Sequence, residues 1–276
     1  MPSSFRQRIN IKYFMLAYLG VLLLAAAIRS GAPERFLFGL AIVALYASFD
    51  LIWTRLRDRV WYVPISSLIS GLILANVGPP NPTWPLLVLL PFLAVAGKQL
   101  LHLGKTRHIL NPAGLSLSLI SFFVPVVSWW TAAMDVWTLL AVSAVGLFIL
   151  WRQQRFHVAV TFLFVYALCL TGFALMRGAS IQMLPLILRS ALVNGPLIFF
   201  ATVMLIEPIT SSFPTRNTRI AYGALVGIFS VGSLWLASSL PMLGFDVSIG
   251  GLLLGNLAAS LLFLPSALRP TPRLNT

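Results

Sequence analysis

The side chains that could do chemistry are few, because the chain holds only six aspartate and glutamate residues among its 276. Two of them, Asp50 and Glu207, lie within or at the end of long apolar stretches. An ionisable group inside a membrane-spanning segment is a functional candidate by default. We expect Asp50 to pair at the surface with the nearby Arg55 and Arg57. Glu207, which Pro208 follows directly, is the stronger candidate for a functional carboxylate.

Metal, haem and hydrolase chemistry find no support in the other side chains. Cys169 is the only cysteine, and an iron–sulfur cluster takes about four ligands, so we expect Cys169 to fill apolar space. We expect His102, His108 and His157 to lie at headgroup level and not to bind metal or haem. Neither a phosphate-binding P-loop nor a Ser–His–acid set can be assembled. No metal site is predicted, and no catalytic residue can be named.

A second candidate site is the helix start at Asn111, Pro112 and Ala113. Proline fits the first helical turn and asparagine can cap it. A helix N-terminus beside basic side chains attracts an anion such as a phosphate or a flavin tail. The basic neighbours are Lys98, Lys105 and Arg107. The alternative is an ordinary helix start flanked by charges that set membrane topology, and the stretch alone leaves both open.

The segment from Glu207 to Phe213 is a further irregular stretch with polar side chains. Glu207, Thr210 and Ser211 lie within it, and Arg216 follows shortly after. These side chains can cap and brace a broken helix, and that structural role does not exclude a binding role. We therefore include all four residues among the candidate binding residues.

The elements that must position these residues are membrane helices. The chain is 59% hydrophobic and 9% charged, with a mean hydropathy of +0.93, whereas soluble chains average about 25% charged residues. This composition excludes a soluble domain and a disordered chain, and the single cysteine excludes a disulfide scaffold. We predict an all-α polytopic membrane protein that forms one integral membrane domain over residues 1–276. Its ten segments are Tyr13–Ile28, Phe36–Trp53, Pro64–Val77, Pro85–Leu101, Ile109–Val127, Val136–Trp151, Val158–Met176, Ala191–Ile206, Ile220–Leu240 and Val247–Leu264.

The net charge of +13 follows from membrane topology. Alternating the ten segments places fifteen of the nineteen Lys and Arg residues on the face that holds both termini. The other four are Arg29, Arg35, Arg177 and Arg189. Basic residues concentrate in cytoplasmic loops, so we predict cytoplasmic termini and a bacterial-type cytoplasmic (inner) membrane. Nucleic acid is rejected as a partner, and anionic membrane lipids are natural neighbours.

Two irregular stretches, residues 71–82 and 194–214, occupy corresponding places in the chain. Residues 12–127 and 136–266 each hold five segments, of which we expect the third to be broken. Five helices per half would make the halves inverted repeats in the membrane, and broken helices in such repeats point to a central site. Apolar composition alone could also produce this similarity, so both explanations stay open.

The ordered motifs resemble a known family. Gly97 and Lys98, followed by Asn111-Pro112-Ala113, resemble the D subunit of Rnf electron-transport complexes and the related B subunit of the sodium-translocating NADH:quinone oxidoreductase. Leu110 stands where that family has phenylalanine. Residues 70–80, 199–211 and 216–223 resemble further family blocks, in the family's order.

The resemblance implies a ten-helix subunit of a respiratory complex that couples electron flow to Na⁺ or H⁺ movement. It implies membrane subunits and an FMN-binding or ferredoxin-like protein as partners, with FMN or riboflavin as cofactor. In the family, FMN is joined to a threonine on the loop after the Asn-Pro-Ala helix. Here that loop, residues 128–135, lacks the Gly-Ala-Thr motif, and Thr131 is its only threonine. The covalent site is therefore shortened or absent, and we expect any flavin to be non-covalent.

Three functions follow as alternatives. The first is an ion-coupled redox subunit that holds or contacts a flavin. The second is a flavin-free transporter or channel on the same scaffold. The third is a membrane anchor whose basic cytoplasmic loops dock a redox partner.

Overall fold

The computed structural model describes residues 10–103, 107–239 and 246–267. Within these ranges the chain forms eleven α-helices and one hairpin of two-residue strands, β1 His102–Leu103 and β2 Arg107–His108. The helices are α1 Ile11–Arg29, α2 Glu34–Asp58, α3 Ile65–Val77, α4 Trp84–Leu100, α5 Pro112–Ser121, α6 Val136–Gln153, α7 Phe156–Met176, α8 Leu184–Leu192, α9 Gly195–Phe199, α10 Arg216–Ser239 and α11 Val247–Ala267. A 3₁₀ turn, Ile181–Met183, precedes α8, and a π-helix, Phe200–Met204, continues α9.

Five of these helices are long and apolar enough to cross a membrane, namely α1, α2, α6, α7 and α10. Residues Ile181–Leu192 and Gly195–Met204 make a sixth span if they are taken together, with a bend of 57° between them. The helices α3, α4 and α5, and the stretch Val247–Phe263 of α11, are apolar but shorter. The prediction of an all-α polytopic membrane protein is confirmed, and each of the ten predicted segments contains helix.

Three predicted segments differ from the helices observed. The fifth ends at Ser121 and not at Val127, because Pro125 lacks an N–H and disfavours helical backbone at the residue before it. The third, α3, is short and continuous instead of broken. In the eighth, Asn194 caps a new helix by accepting the Leu197 N–H at 2.8 Å. The preceding helix, α8, begins at Leu184, in a stretch between the seventh and eighth predicted segments where we expected a loop.

The two halves share a pattern of helix contacts. In the first half, α1 packs on α3, α2 packs on α4, and α4 packs on α5. In the second half, α6 packs on α9, α7 packs on α10, and α10 packs on α11. The first helix thus contacts the third, the second contacts the fourth, and the fourth contacts the fifth in each half. The first half also packs α2 on α3, a contact without a comparable counterpart between α7 and α9 in the described residues. The repeat and its inverted orientation therefore stay predictions.

Small residues set the close packing of the second half. A Cβ at Gly223 would lie 2.6 Å from the Val158 carbonyl oxygen, so α10 crosses α7 at backbone contact. A Cβ at Gly251 would lie 2.6 Å from the Ser230 Cα, so α11 packs equally closely on α10. Glycine at such crossings is typical of membrane helices, which associate mainly through van der Waals packing.

Candidate functional site

The carboxylate of Asp50, in α2, is fully buried at the centre of a polar cluster. Lys98 donates to its Oδ2 over 2.8 Å, the Ser67 hydroxyl donates over 2.5 Å, and the Tyr62 hydroxyl also donates to this oxygen. Gln99 donates to Oδ1 over 2.6 Å. The expected surface pairing with Arg55 and Arg57 is wrong, because α3 and α4 cover this part of α2.

Lys98, near the end of α4, is committed to this cluster. Its Nζ donates to Asp50 and, over 2.8 Å, to the Ser67 Oγ, and the side chain is only 10% exposed. The cluster continues to the surface, where Arg57 donates to the Gln99 Oε1 over 2.8 Å. The cation and the carboxylate therefore compensate each other in a place where either alone would be costly.

Asn111 connects the two halves of the chain. Its Oδ1 accepts the Gly114 N–H at 2.8 Å, which makes it the N-cap of α5 as predicted. Its Nδ2 donates to the Glu207 Oε2 over 2.8 Å. Pro112 and Ala113 form the buried first turn behind it. One side chain thus starts a helix of the first half and holds the candidate carboxylate of the second.

Glu207 begins a tight turn that its own neighbours stabilise. The Thr210 hydroxyl donates to the Glu207 Oε2 over 3.2 Å. The Ser211 N–H and hydroxyl donate to the Glu207 carbonyl over 3.0 and 2.7 Å. Among the described residues, the charge that acts on the Glu207 carboxylate is that of Lys98, without a direct hydrogen bond. The carboxylate therefore rests on neutral donors.

Arg155 braces the same turn from the loop before α7. Its guanidinium is buried and donates to the Ser211 carbonyl over 2.8 Å and to the Ser212 hydroxyl over 3.1 Å. Sequence reasoning expected Arg216 in this role. Arg216 instead begins α10, is exposed, and faces a cleft beside His157. Of the predicted site residues, Lys98, Asn111, Pro112, Ala113, Glu207, Thr210 and Ser211 gather around the meeting point of the halves, and Arg216 does not.

His108 is more enclosed than expected. It lies in β2 and is half-buried beside Lys98. Burial, together with the positive charge of Lys98, lowers its pKa to about 4. His108 is therefore neutral at pH 7. No group of three metal-ligating side chains occurs among the described residues.

The segment 128–131 closes the end of α3. The last carbonyls of a helix lack partners within it, and here this segment supplies them. The Ser128 and Trp129 N–H groups donate to the Val77 carbonyl over 2.9 and 3.2 Å, and the Trp130 Nε1 donates to the Ala75 carbonyl over 3.0 Å. Irregular backbone at membrane depth is tolerated where protein buries it, which explains how so short a helix can end here.

Thr131 belongs to this closure. It is 1% exposed, and its hydroxyl donates to the Asn76 carbonyl over 3.2 Å. A phosphodiester on this oxygen would need both the space and the hydrogen bond that the fold already uses. The residues present therefore do not fit a flavin covalently joined at Thr131.

Some residues of the site were missed by sequence reasoning. Trp129 adopts a left-handed backbone with φ of 51° and donates its Nε1 to the Asp246 carboxylate over 2.8 Å. Its ring also contacts Phe199 and Phe200. Ser67, Gln99 and Arg155 were missed as well. A polar residue within an apolar segment was the available signal for Ser67, whereas nothing local distinguishes Trp129.

The chain is similar to a known subunit of an oxidoreductase complex. No protein-family model matches it. It is 26% identical, over an alignment of 313 residues, to the D subunit of the ion-translocating oxidoreductase complex of Salmonella arizonae. The alignment covers 79% of this chain and 84% of that protein. The resemblance predicted from the motifs is confirmed.

Proposed function

We propose that the protein is an integral membrane subunit of an ion-translocating oxidoreductase complex. The observation that carries this proposal is the similarity to the D subunit of such a complex over 79% of the chain. The fold agrees with it, because the described residues form an apolar helical protein with five to six candidate spans. Other subunits of the complex, and an FMN-binding or ferredoxin-like carrier, are its proposed partners.

Within this function, we assign Glu207 the central role. Its carboxylate lies at the end of a bent span with a π-helical turn, where the two halves meet. π-helical turns are frequent at functional sites. Because its direct partners are the neutral Asn111 and Thr210, the carboxylate can gain or lose a cation without breaking an ion pair. It is therefore suited to an ion pathway.

For the cofactor, we propose less than the family resemblance implies, because we leave out covalent attachment of FMN. The loop 128–135 carries no covalent flavin, since the Thr131 hydroxyl is buried and donates to Asn76. Any FMN or riboflavin is then bound non-covalently. Mass spectrometry of the intact chain from flavin-replete cells should find the unmodified mass. A mass increase corresponding to FMN that maps to residues 128–135 would contradict this part.

The test of the function combines deletion with one substitution. Deleting the gene should lower NADH- or ferredoxin-dependent oxidation in membranes, and the tagged protein should copurify with redox subunits. Glu207→Gln should leave copurification intact but lose most of the ion-coupled oxidation. Glu34→Gln, the same change at an exposed carboxylate, is the matched control. An unchanged oxidation rate on deletion, without redox subunits in the purified material, would overturn the proposal.

A flavin-free transporter on the same scaffold is the second candidate, and the use of Thr131 to close α3 favours it. Proteoliposomes that hold the purified chain alone should then take up an ion or solute without any bound chromophore. Uptake that Glu207→Gln abolishes and Glu34→Gln does not would support this alternative. Absence of uptake from the chain alone would leave the redox subunit as the function.

A further inference from the structure

A cleft lined by basic and aromatic side chains lies outside the Glu207 site, between the end of α6, the start of α7 and the start of α10. Its volume is about 480 Å³. The residues that line it are Trp151, Gln154, Phe156, His157, Arg216 and Arg219. The cleft combines basic side chains with two aromatic rings, and the redox proposal makes no use of it.

The basic groups of this cleft have no carboxylate beside them among the lining residues. In the described part of the chain, the Arg216 side chain has neither a hydrogen bond nor an ion pair, and the Nε2 of His157 is buried without a hydrogen-bond partner. The Arg219 Nε donates to the Phe213 carbonyl over 2.8 Å. The charges acting on His157 are those of Arg219, Arg155 and Arg216, which are all positive. Because these positive charges repel one another, a bound anion would stabilise the cleft.

The shape and position of the cleft select the kind of anion. The arginine guanidinium recognises phosphate with two parallel hydrogen bonds. Tryptophan and other amphipathic rings concentrate at the membrane–water interface, and basic pockets between membrane helices on the cytoplasmic side bind lipid headgroups. The cleft lies on the face predicted to be cytoplasmic. We propose that it binds the phosphate of an anionic phospholipid through Arg216 and Arg219. A free phosphate would satisfy the same groups, so the experiment must separate the two sources.

The experiment measures binding to the purified full-length chain in a neutral detergent. The probes are cardiolipin, phosphatidylcholine and inorganic phosphate, each titrated while native mass spectrometry counts the bound molecules. Cardiolipin should bind more tightly than phosphatidylcholine. Arg216→Gln should weaken cardiolipin binding about fivefold. Arg216→Gln with Arg219→Gln should weaken it further, since each basic side chain contributes a similar share of the binding free energy to an anionic lipid. Lys12→Gln is the control, because Lys12 is exposed, lies on the same predicted face and is outside the cleft.

Each outcome decides the proposal. Loss of cardiolipin binding in the Arg216 variants, with Lys12→Gln unchanged, supports a lipid phosphate. Binding of inorganic phosphate that Arg216→Gln weakens, without a preference for cardiolipin, overturns the lipid assignment and identifies a soluble phosphate. Equal cardiolipin binding by wild type, Arg216→Gln and Lys12→Gln overturns the site itself. Because Arg219 also supports Phe213, the exposed Arg216 alone decides the outcome if the double variant does not fold.

Discussion

Asp50 and Glu207 are both carboxylates enclosed among apolar helices, yet their surroundings differ. Asp50 receives a lysine ammonium, two hydroxyls and an amide. Glu207 receives one amide and one hydroxyl, and no cation among the described residues bonds to it directly. The first carboxylate is compensated within one half of the chain, whereas the second depends on a donor from the other half.

We take this difference to separate a structural carboxylate, Asp50, from the carboxylate to which we assign a function, Glu207. A buried charge is costly unless it is paired and hydrogen-bonded, and Asp50 meets both conditions. Any ion that entered its cluster would have to displace Lys98. Glu207 has weaker constraints and lies where a bent span meets the start of α5. A search for functional acids in membrane chains should therefore ask what compensates each carboxylate, as well as how deeply it lies.

Removing the cation that compensates Asp50 is the most severe test of this contrast. Lys98→Met leaves the Asp50 carboxylate buried without its counter-ion. We expect the free energy of unfolding to fall by about 3–5 kcal/mol, as for other buried pairs that lose one partner. Reversible unfolding of the purified protein in mixed micelles measures it.

The control for this prediction removes both charges together. Lys98→Met with Asp50→Asn should be more stable than Lys98→Met alone, because no unpaired charge is left in the cluster. If the single variant is as stable as wild type, or more stable than the double variant, Asp50 is not the compensated carboxylate that the geometry indicates.

A smaller effect should follow at Asn111, which serves Glu207 and α5 at once. Asn111→Ala removes the N-cap and should lower the free energy of unfolding by about 1–2 kcal/mol. Asn111→Ser retains a capping oxygen but loses the amide that donates to Glu207, so it should recover most of that stability. The same unfolding measurement compares the two. Equal losses in both variants would show that the bond to Glu207, and not the cap, holds this junction.

The sequence was most informative where the signal is periodic or local. Apolar composition and charge asymmetry predicted ten segments, and each contains helix. The cap at Asn111 also follows from local sequence, because a polar residue before proline satisfies the first turn. The end of the fifth segment at Ser121 was predictable in principle from Pro125. Helix α8 was not predicted, because the predicted eighth segment began only at Ala191.

The site was only partly predictable, because its partners are distant in the chain. Asp50 and Lys98 are separated by 48 residues and Asn111 and Glu207 by 96. Neither separation leaves a periodic trace in the sequence. Local reading paired Asp50 with its arginine neighbours, since nothing in the sequence says that α4 covers it. The family resemblance grouped Lys98 with Asn111 and Glu207, but the particular contacts depend on packing between helices.

We expect the smallest change in stability from a substitution at Asp135, a carboxylate near the surface. Asp135 caps α6 and accepts the Thr138 N–H at 2.8 Å, and Arg29 also pairs with it. The Thr138 N–H, followed by the Thr138 hydroxyl and Arg29, holds the pKa of Asp135 below its ordinary value. A lowered pKa stabilises the folded state at pH values above the ordinary pKa, and this contribution is lost as the pH falls through the lowered pKa.

Asp135→Asn keeps a capping oxygen but removes the charge, so it should lower the unfolding temperature slightly at pH 7. The difference from wild type should vanish in acid, below the pKa of the folded state. If the unfolding temperatures still differ at that acidic pH, the effect comes from the geometry of the cap and not from its charge. The charge of a carboxylate would then matter only where the group is enclosed, at Asp50 and Glu207.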